Sequence, residues 1–193
     1  MKWVIPLAIA AVAAMFYLNI NNRAIEKQEE AQTRWSDVES AYQRRSDLIP
    51  NLVNTVKGAA DFERSTLTEV IEARSRATAV NVNAQDLNEE SIQAFQQAQE
   101  GLSSALSRLM VTVERYPELK ATENFQAFQS QLEGTENRIN VSRNRYNEAV
   151  RQYNVYIRQI PQNLVARIAG FQKMARFEAE QGAERAPEVN FDS

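Results

Sequence analysis

The sequence predicts an all-α protein in which an N-terminal transmembrane helix precedes an elongated, antiparallel four-helix bundle of long helices. Three observations predict this fold: few helix-breaking residues, one uninterrupted apolar run at the N-terminus, and two long heptad patterns. The 193 residues include only five glycines and five prolines, and such a composition favours helix almost throughout. We expect a membrane anchor over residues 1–22, a helical domain over 23–180, and an extended or mobile tail over 181–193.

The composition also excludes several functions. The chain has neither cysteine nor histidine, so thiol chemistry, thiolate zinc sites and imidazole bases are excluded. Di-iron carboxylate bundles are excluded as well, because they take a histidine from each of two helices. The formal net charge is −3, with both signs mixed along the chain, and no basic field exists to hold nucleic acid. We therefore predict a protein that is not an enzyme and binds no cofactor, metal or nucleic acid.

The first twenty residues carry the transmembrane signal. Lys2 precedes an apolar run from Trp3 to Leu18, which as a helix is about 24 Å long, close to the ~30 Å of a bilayer core. A cleaved signal peptide is the alternative, because Ala-Val-Ala at positions 11–13 resembles a cleavage site. The run stays apolar beyond position 13, which favours an uncleaved single-pass anchor. The positive charges on the two flanks of the run are nearly equal in number when the terminal amine is counted with Lys2, so they indicate the orientation only weakly. We expect the rest of the chain on the periplasmic or extracytoplasmic side.

Two heptad patterns outline the principal helices. The first runs from position 35 to position 59 and the second from 125 to 160, with steps of three and four residues in alternation. We expect the two helices to pair in antiparallel orientation through a shared seam. The predicted seam residues are Trp35, Ile49, Leu52, Phe125, Phe128, Leu132, Ile139, Tyr146 and Tyr153.

The connection after the first heptad decides the topology. Lys-Gly at positions 57–58 is typical of a helix end, and TLTE, beginning at Thr66, resembles a capping box that starts another helix. One helix running straight through is the alternative. We favour a chain that folds back, because a straight helix would leave the end of the second heptad helix without a partner. Further helices are predicted after Asn88, as an N-cap, and over positions 162–168.

A proline inside the first heptad marks a candidate site. Pro50 lies in RRSDLIPNLVNTVKG (residues 44–58), where Arg44, Arg45 and Asp47 precede it. We interpret these four residues as a structural joint, in which the proline restarts or kinks the helix and its charged neighbours fix that position. The alternative is an anion or lipid-headgroup site.

Two consequences for hydrogen bonding follow from this interpretation. Because Pro50 has no amide hydrogen, the carbonyl of Ser46 loses its normal helical partner. Arg45 lies on the seam, where a cation must find a carboxylate or reach water. Antiparallel pairing with the second heptad offers Glu136 as that carboxylate.

Asparagines form a polar ladder along the second heptad helix. They suit either the satisfaction of buried backbone groups or the registration of a partner helix. These residues are Asn137, Asn140, Asn144, Asn147 and Asn154.

Several motifs resemble those of one protein family. RRSDLIPNLVNTVKG is followed by LSSALSRLMVTVERYPELKATENF, TENRINVSRNRYNEAVRQYNVYIRQIP, a Gly-Phe pair at 170–171 and a closing APEVNF. In this order, from about Arg34 to Phe191, they resemble the LemA family of bacterial membrane-anchored helical proteins. The resemblance implies a single N-terminal anchor and a long helical bundle, and it implies no reaction. Relatives are associated with membrane organisation, including magnetosome formation.

These expectations describe a non-enzymatic, membrane-anchored structural or scaffold protein of the bacterial cell envelope. It would lie in the cell membrane and self-associate through its long helices as a homo-oligomer. The alternative is an adaptor for another envelope protein, such as a membrane protease or a transport complex.

Overall fold

The computed structural model describes residues 3–58 and 62–178, and every regular element in these two ranges is a helix. The all-α prediction is therefore confirmed for this part of the chain. The expected tail over residues 181–193 and the last heptad position, 59, lie outside the described residues. The helices are α1 (Val4–Lys57), α2 (Arg64–Ala79), α3 (Glu89–Val113), α4 (Pro117–Lys120), α5 (Glu123–Tyr156) and α6 (Gln162–Ala169).

Helix α1 joins the apolar run to the rest of the protein without interruption. It has 54 residues, which corresponds to a length of about 80 Å. Its large apolar side chains up to Leu18 are exposed, apart from a half-buried Tyr17, and burial begins at Ile20 and Ala24. By length and composition, α1 includes one segment that could cross a membrane. The expected anchor and the packed part of the protein therefore share one helix.

Helices α1 and α5 pack side by side in antiparallel orientation. Near the start of the packed region, Tyr156 of α5 donates a hydrogen bond from Oη to the carbonyl of Ile20 in α1, at 3.3 Å. Further along, Arg45 of α1 contacts Glu136 of α5 at 3.0 Å. The partner positions in α5 decrease as those in α1 increase, as antiparallel pairing requires. The two predicted heptad helices are therefore partners.

Helices α2 and α3 form a second antiparallel pair. The side chain of Gln99 donates to the carbonyl of Ala77 at 3.3 Å, and Arg108 pairs with Glu69 at 3.0 Å. Within α3, N-terminal positions thus contact the end of α2 and C-terminal positions contact its beginning. Asn88 is the N-cap of α3, and its side chain accepts from the amide of Ser91.

The chain folds back after α1, although the predicted start of α2 is wrong. Helix α2 begins two residues before Thr66, with Glu63 as its N-cap. Thr66 is buried within the first turn of α2, and no side chain caps this helix. Thr66 is therefore a buried residue of the first turn and not the N-cap that the local sequence suggests.

The end of the second heptad helix also differs from the expectation. Pro117 begins the separate short helix α4, and α5 starts after Thr122, whose hydroxyl accepts from the amide of Phe125. Helix α5 ends at Tyr156 rather than at Ile160, which is 83% exposed. Pro161 explains why the helix does not reach Ile160, because a proline disfavours helical backbone at the preceding residue and cannot donate to the carbonyl four residues earlier.

The predicted seam residues lie mostly in the interior. Leu132 is half-buried and the others are buried. At the centre, the Trp35 ring packs edge-to-face against Phe95 and Tyr146, with centroid distances of 5.1 and 5.4 Å. The two seams are therefore covered by helices of the same chain.

Candidate functional site

Arg45 is almost completely buried, with 1% of its surface exposed. Its Nη1 donates to Ser103 Oγ at 2.7 Å and to Glu136 Oε1 at 3.0 Å. Its Nη2 donates to both the carbonyl and the side-chain oxygen of Gln99, at 3.1 and 2.8 Å. The guanidinium carbon lies 5.0 Å from the centre of the Tyr42 ring. The contact with Glu136 expected from antiparallel pairing is thus present, and two residues of α3 supply three further acceptors.

These hydrogen bonds join four helices into one polar network. Arg45 belongs to α1, Gln99 and Ser103 to α3, and Glu136 to α5. Gln99 extends the network to α2, because its Nε2 donates to the carbonyl of Ala77. A buried guanidinium is stabilised only when fixed acceptors replace its hydration. The network therefore couples the charge of Arg45 to the relative positions of all four helices.

The structure does not contain the restart expected at Pro50, and it agrees with the expected loss of a helical partner for the Ser46 carbonyl. Helix α1 continues through Pro50 to Lys57, so the helix does not restart there. The carbonyl of Ser46, which lacks the amide partner that position 50 would supply, accepts from Nε of Arg74 in α2 at 2.9 Å. Pro50 thus leaves a carbonyl of α1 free to accept a hydrogen bond from a side chain of α2.

The four residues of the predicted joint do not form one site. Arg45 points into the interior, whereas Arg44, Asp47 and Pro50 are exposed. Asp47 does not cap a helix and accepts from Gln43 within α1 at 2.8 Å.

The position of Arg44 disfavours the alternative headgroup site. Arg44 lies 24 residues beyond Ile20 along α1, or about 36 Å from the level at which burial begins. At physiological salt, dissolved ions largely screen the interaction between two exposed charges that lie more than ~8 Å apart. If α1 stands perpendicular to a bilayer around the N-terminal segment, Arg44 is therefore too far away to bind the headgroups.

The segment after α6, residues 171–178, was not recognised from the sequence, and we call it the C-terminal strap. It lies along α5, where two asparagines bind its backbone in both directions. Asn154 donates to the carbonyl of Met174 at 2.8 Å and accepts from its amide at 3.0 Å. Asn147 binds the carbonyl and amide of Phe177 in the same way, at 3.1 and 2.9 Å.

The spacing of the two asparagines matches the backbone of the strap. Seven residues of α5 separate Asn147 from Asn154, a rise of about 10.5 Å. Three residues separate Met174 from Phe177, and an extended backbone spans about 10 Å over that distance. The asparagine ladder was the signal in the sequence that could have revealed the strap, because two of its members, Asn147 and Asn154, bind backbone groups of the strap. Asn137, Asn140 and Asn144 are exposed.

Two buried tyrosines also hold the strap. Tyr146 Oη donates to the carbonyl of Ala175 at 2.8 Å, and Tyr153 Oη donates to that of Gln172 at 2.9 Å. Burial raises the pKa of Tyr153 to about 12 and raises the pKa of Tyr146 further. Both phenols therefore stay neutral and can donate throughout the physiological pH range.

Phe177 closes the aromatic centre of the protein. Phe177 is 5% exposed, and its ring stacks on Trp35 at 5.9 Å and packs edge-to-face with Tyr146 at 5.6 Å. The amide of Ala175 also donates to the carbonyl of Leu87, in the loop before α3, at 2.8 Å. The strap is thus part of the core.

Several ionisable side chains of the described residues form ion pairs with neighbours, among them Arg34 with Asp37 and Lys120 with Glu114. No group of three or more acidic side chains within residues 3–58 and 62–178 is arranged to hold a metal ion. Glu148 is an exposed carboxylate on α5, and hydrogen bonds from Arg151, and secondarily from Gln152, lower its pKa to about 2. Such a carboxylate stays ionised, which does not suit a general acid.

These features define a class of protein: a helical body whose buried polar groups hold helices together, continuous with a helix long and apolar enough to cross a membrane. The chain belongs to the LemA family, whose family model matches residues 34–191. The resemblance found in the sequence is therefore confirmed.

Relatives of this chain include magnetosome proteins. It is 28% identical to magnetosome protein MamQ 2 of Paramagnetospirillum magneticum over 189 residues, which covers 89% of this chain and 69% of that protein. It is 27% identical to MamQ of Magnetospirillum gryphiswaldense over 173 residues, covering 81% and 64% of the two chains. Protein LemA of Metamycoplasma hominis is 24% identical over 165 residues, covering 86% and 72%.

Proposed function

We propose that this protein is a non-enzymatic, membrane-anchored scaffold of the bacterial cell envelope. The continuity of α1 carries the proposal, because one helix includes both the membrane-compatible segment and half of the main helix pair. A body fixed in this way to a bilayer has no flexible linker at its base. The MamQ relatives are named after a cell structure, the magnetosome, which supports an organising role over a reaction.

In this proposal α1, α2, α3 and α5 form an elongated antiparallel four-helix bundle. The two antiparallel pairs and the Arg45 network that joins all four helices support it. From Ile20 to Lys57, α1 rises by about 55 Å. The end of the protein at α4 would therefore be held about that far from the bilayer, a geometry suited to spacing or positioning other components.

The proposed self-association must use surfaces other than the heptad seams. Seam side chains are covered within one chain, so copies would meet through the outer faces of the helices or through the anchor. The anchor is rich in alanine between positions 8 and 14, and small residues allow close packing of transmembrane helices. We place the body on the extracytoplasmic side, because a basic Lys2 followed by an apolar run has the layout of a secretory signal.

Cross-linking in native membranes tests the scaffold proposal. Lysine-reactive cross-linkers should trap homo-oligomers that persist when other membrane proteins are diluted by added lipid. A protein that stays monomeric at every concentration would contradict the proposal. Recovery of one different envelope protein in fixed stoichiometry would favour the adaptor alternative. A protease added outside intact spheroplasts should digest the body, and protection from it would refute the extracytoplasmic placement.

A further inference from the structure

Helix α6 lies at the end of the protein where the apolar run of α1 stops. Its Ala166 packs in a cluster with Ala24 of α1 and with Tyr153 and Ile157. Ala24 lies six residues beyond Leu18, the last residue of the apolar run, or about 9 Å along the helix axis. A bilayer around the N-terminal segment would therefore have its surface close to α6.

The apolar residues of α6 are divided between two faces. Val165 and Ala166 are buried, whereas Leu164 is 59% exposed and Ile168 is 76% exposed. Leu164 and Ile168 are four residues apart and share one face of the helix. Ile160, in the turn just before α6, is 83% exposed. Three large aliphatic side chains thus face outwards within nine residues, an arrangement that in soluble proteins marks an interaction surface.

The charge of this region differs from that of the whole chain. Residues 157–173 include Arg158, Arg167 and Lys173 and no acidic residue, in a chain whose net charge is −3. All three basic side chains are exposed. Aliphatic side chains flanked by basic ones are typical of helices that lie in the surface of an anionic bilayer. Tyr156, whose hydroxyl binds the carbonyl of Ile20, is the type of residue that prefers the headgroup level.

We propose that α6 and the turn before it form a second membrane contact beside the anchor. Ile160, Leu164 and Ile168 lie among the headgroups and upper acyl chains, and the flanking basic residues face anionic lipid headgroups. This inference rests on the proposed anchor, since it needs the bilayer around the apolar run of α1. With one contact the body could rotate about the axis of α1. A second contact fixes its rotation and tilt, and thereby which face each copy presents to its neighbours.

Site-specific fluorescence in vesicles tests the contact. Because the chain has no cysteine, Leu164→Cys gives a single attachment point for an environment-sensitive dye. The full chain is reconstituted into vesicles of phosphatidylcholine and phosphatidylglycerol in equal amounts, with or without nitroxide-labelled lipid. Val111→Cys is the matched control, because Val111 is a comparably exposed aliphatic residue (72%) at the far end of α3. We expect a blue-shifted emission and strong quenching at position 164, with neither at position 111.

Further measurements separate the possible outcomes. Resistance to alkaline extraction with an aqueous, unquenched dye at position 164 would overturn the contact and leave the anchor intact. Extraction of the whole chain at alkaline pH would overturn both. A dye signal at 164 that disappears on dilution with lipid, without nitroxide quenching, would assign this surface to a second copy and overturn the proposal. Ile168→Cys should repeat the result of position 164, and unchanged circular dichroism establishes that each variant is folded.

Discussion

At the scale of single residues, Arg45 shows how one buried charge depends on several helices. Four acceptors bind its two terminal nitrogens. The one that carries a charge is Glu136, with 41% of its side chain accessible. Removal of one member of such a network costs more than the loss of a surface pair, because the remaining polar groups stay buried without partners.

We expect Arg45→Ala to lower the free energy of unfolding by about 3–5 kcal/mol, the range found when a buried pair loses one partner. Arg44→Ala is the matched control, since Arg44 is exposed on the same helix, and its effect should stay within about 0.5 kcal/mol. Urea unfolding of the solubilised protein measures both. Equal effects would show that the network adds nothing beyond a surface charge.

Pro50 and Arg74 act on the same acceptor, the carbonyl of Ser46. Arg74→Ala should cost about 1–3 kcal/mol, because it leaves the carbonyl of Ser46, a buried residue, without a donor. Pro50→Ala supplies an amide that can donate to this carbonyl, so the cost of Arg74→Ala should fall in the Pro50→Ala background. A double-mutant cycle of unfolding free energies measures the coupling. Full additivity of the two changes would contradict this account.

At the scale of elements, the C-terminal strap depends on side chains of α5 rather than on its own secondary structure. Asn147→Ala removes both partners of the Phe177 backbone, and we expect a loss of about 1–3 kcal/mol in the free energy of unfolding. Asn140→Ala, at an exposed position of the same helix, should have little effect. Hydrogen exchange at the Phe177 amide should accelerate only in the first variant. Unchanged exchange there would mean that other contacts hold the strap.

The strap also predicts an alkaline dependence of stability. The pKa of Tyr153 is about 12 in the folded protein, against an ordinary value of 10.0, because burial disfavours the phenolate. The neutral phenol is thus the form that stabilises the fold, so this contribution is complete below pH 10 and is lost as the pH rises towards 12. Tyr153→Phe should make the alkaline loss of unfolding free energy shallower. A slope identical to that of the unaltered protein would contradict this assignment.

At the scale of the whole molecule, the continuous α1 makes the position of the body depend on the insertion of its first residues. Val12→Arg places a charge near the centre of the apolar run, which costs about 2.5–3.5 kcal/mol on insertion scales. We expect this variant to leave the membrane fraction after alkaline extraction, whereas Asn51→Arg, at an exposed position of the same helix, should remain. Mass spectrometry of the mature chain is the second measurement, and a start near Ala14 would show that the segment is a cleaved signal peptide.

The sequence by itself determined the helical character of this protein, the apolar segment, the two heptad helices and their pairing. Each of these follows from local composition or from periodicity, which a sequence displays directly. Even the contact between Arg45 and Glu136 followed, because antiparallel pairing of two heptads places those positions opposite each other.

The tertiary structure alone decided where α2 begins, that Arg74 binds the carbonyl that Pro50 frees, and where the strap lies. Thr66 begins a TLTE sequence that resembles a capping box, but it is buried within the first turn of α2. Residues 171–178 have no periodic pattern, because their backbone is bound by Asn147 and Asn154, side chains distant in the sequence. Such hydrogen bonds depend on the packing of several elements at once, and no local pattern encodes them.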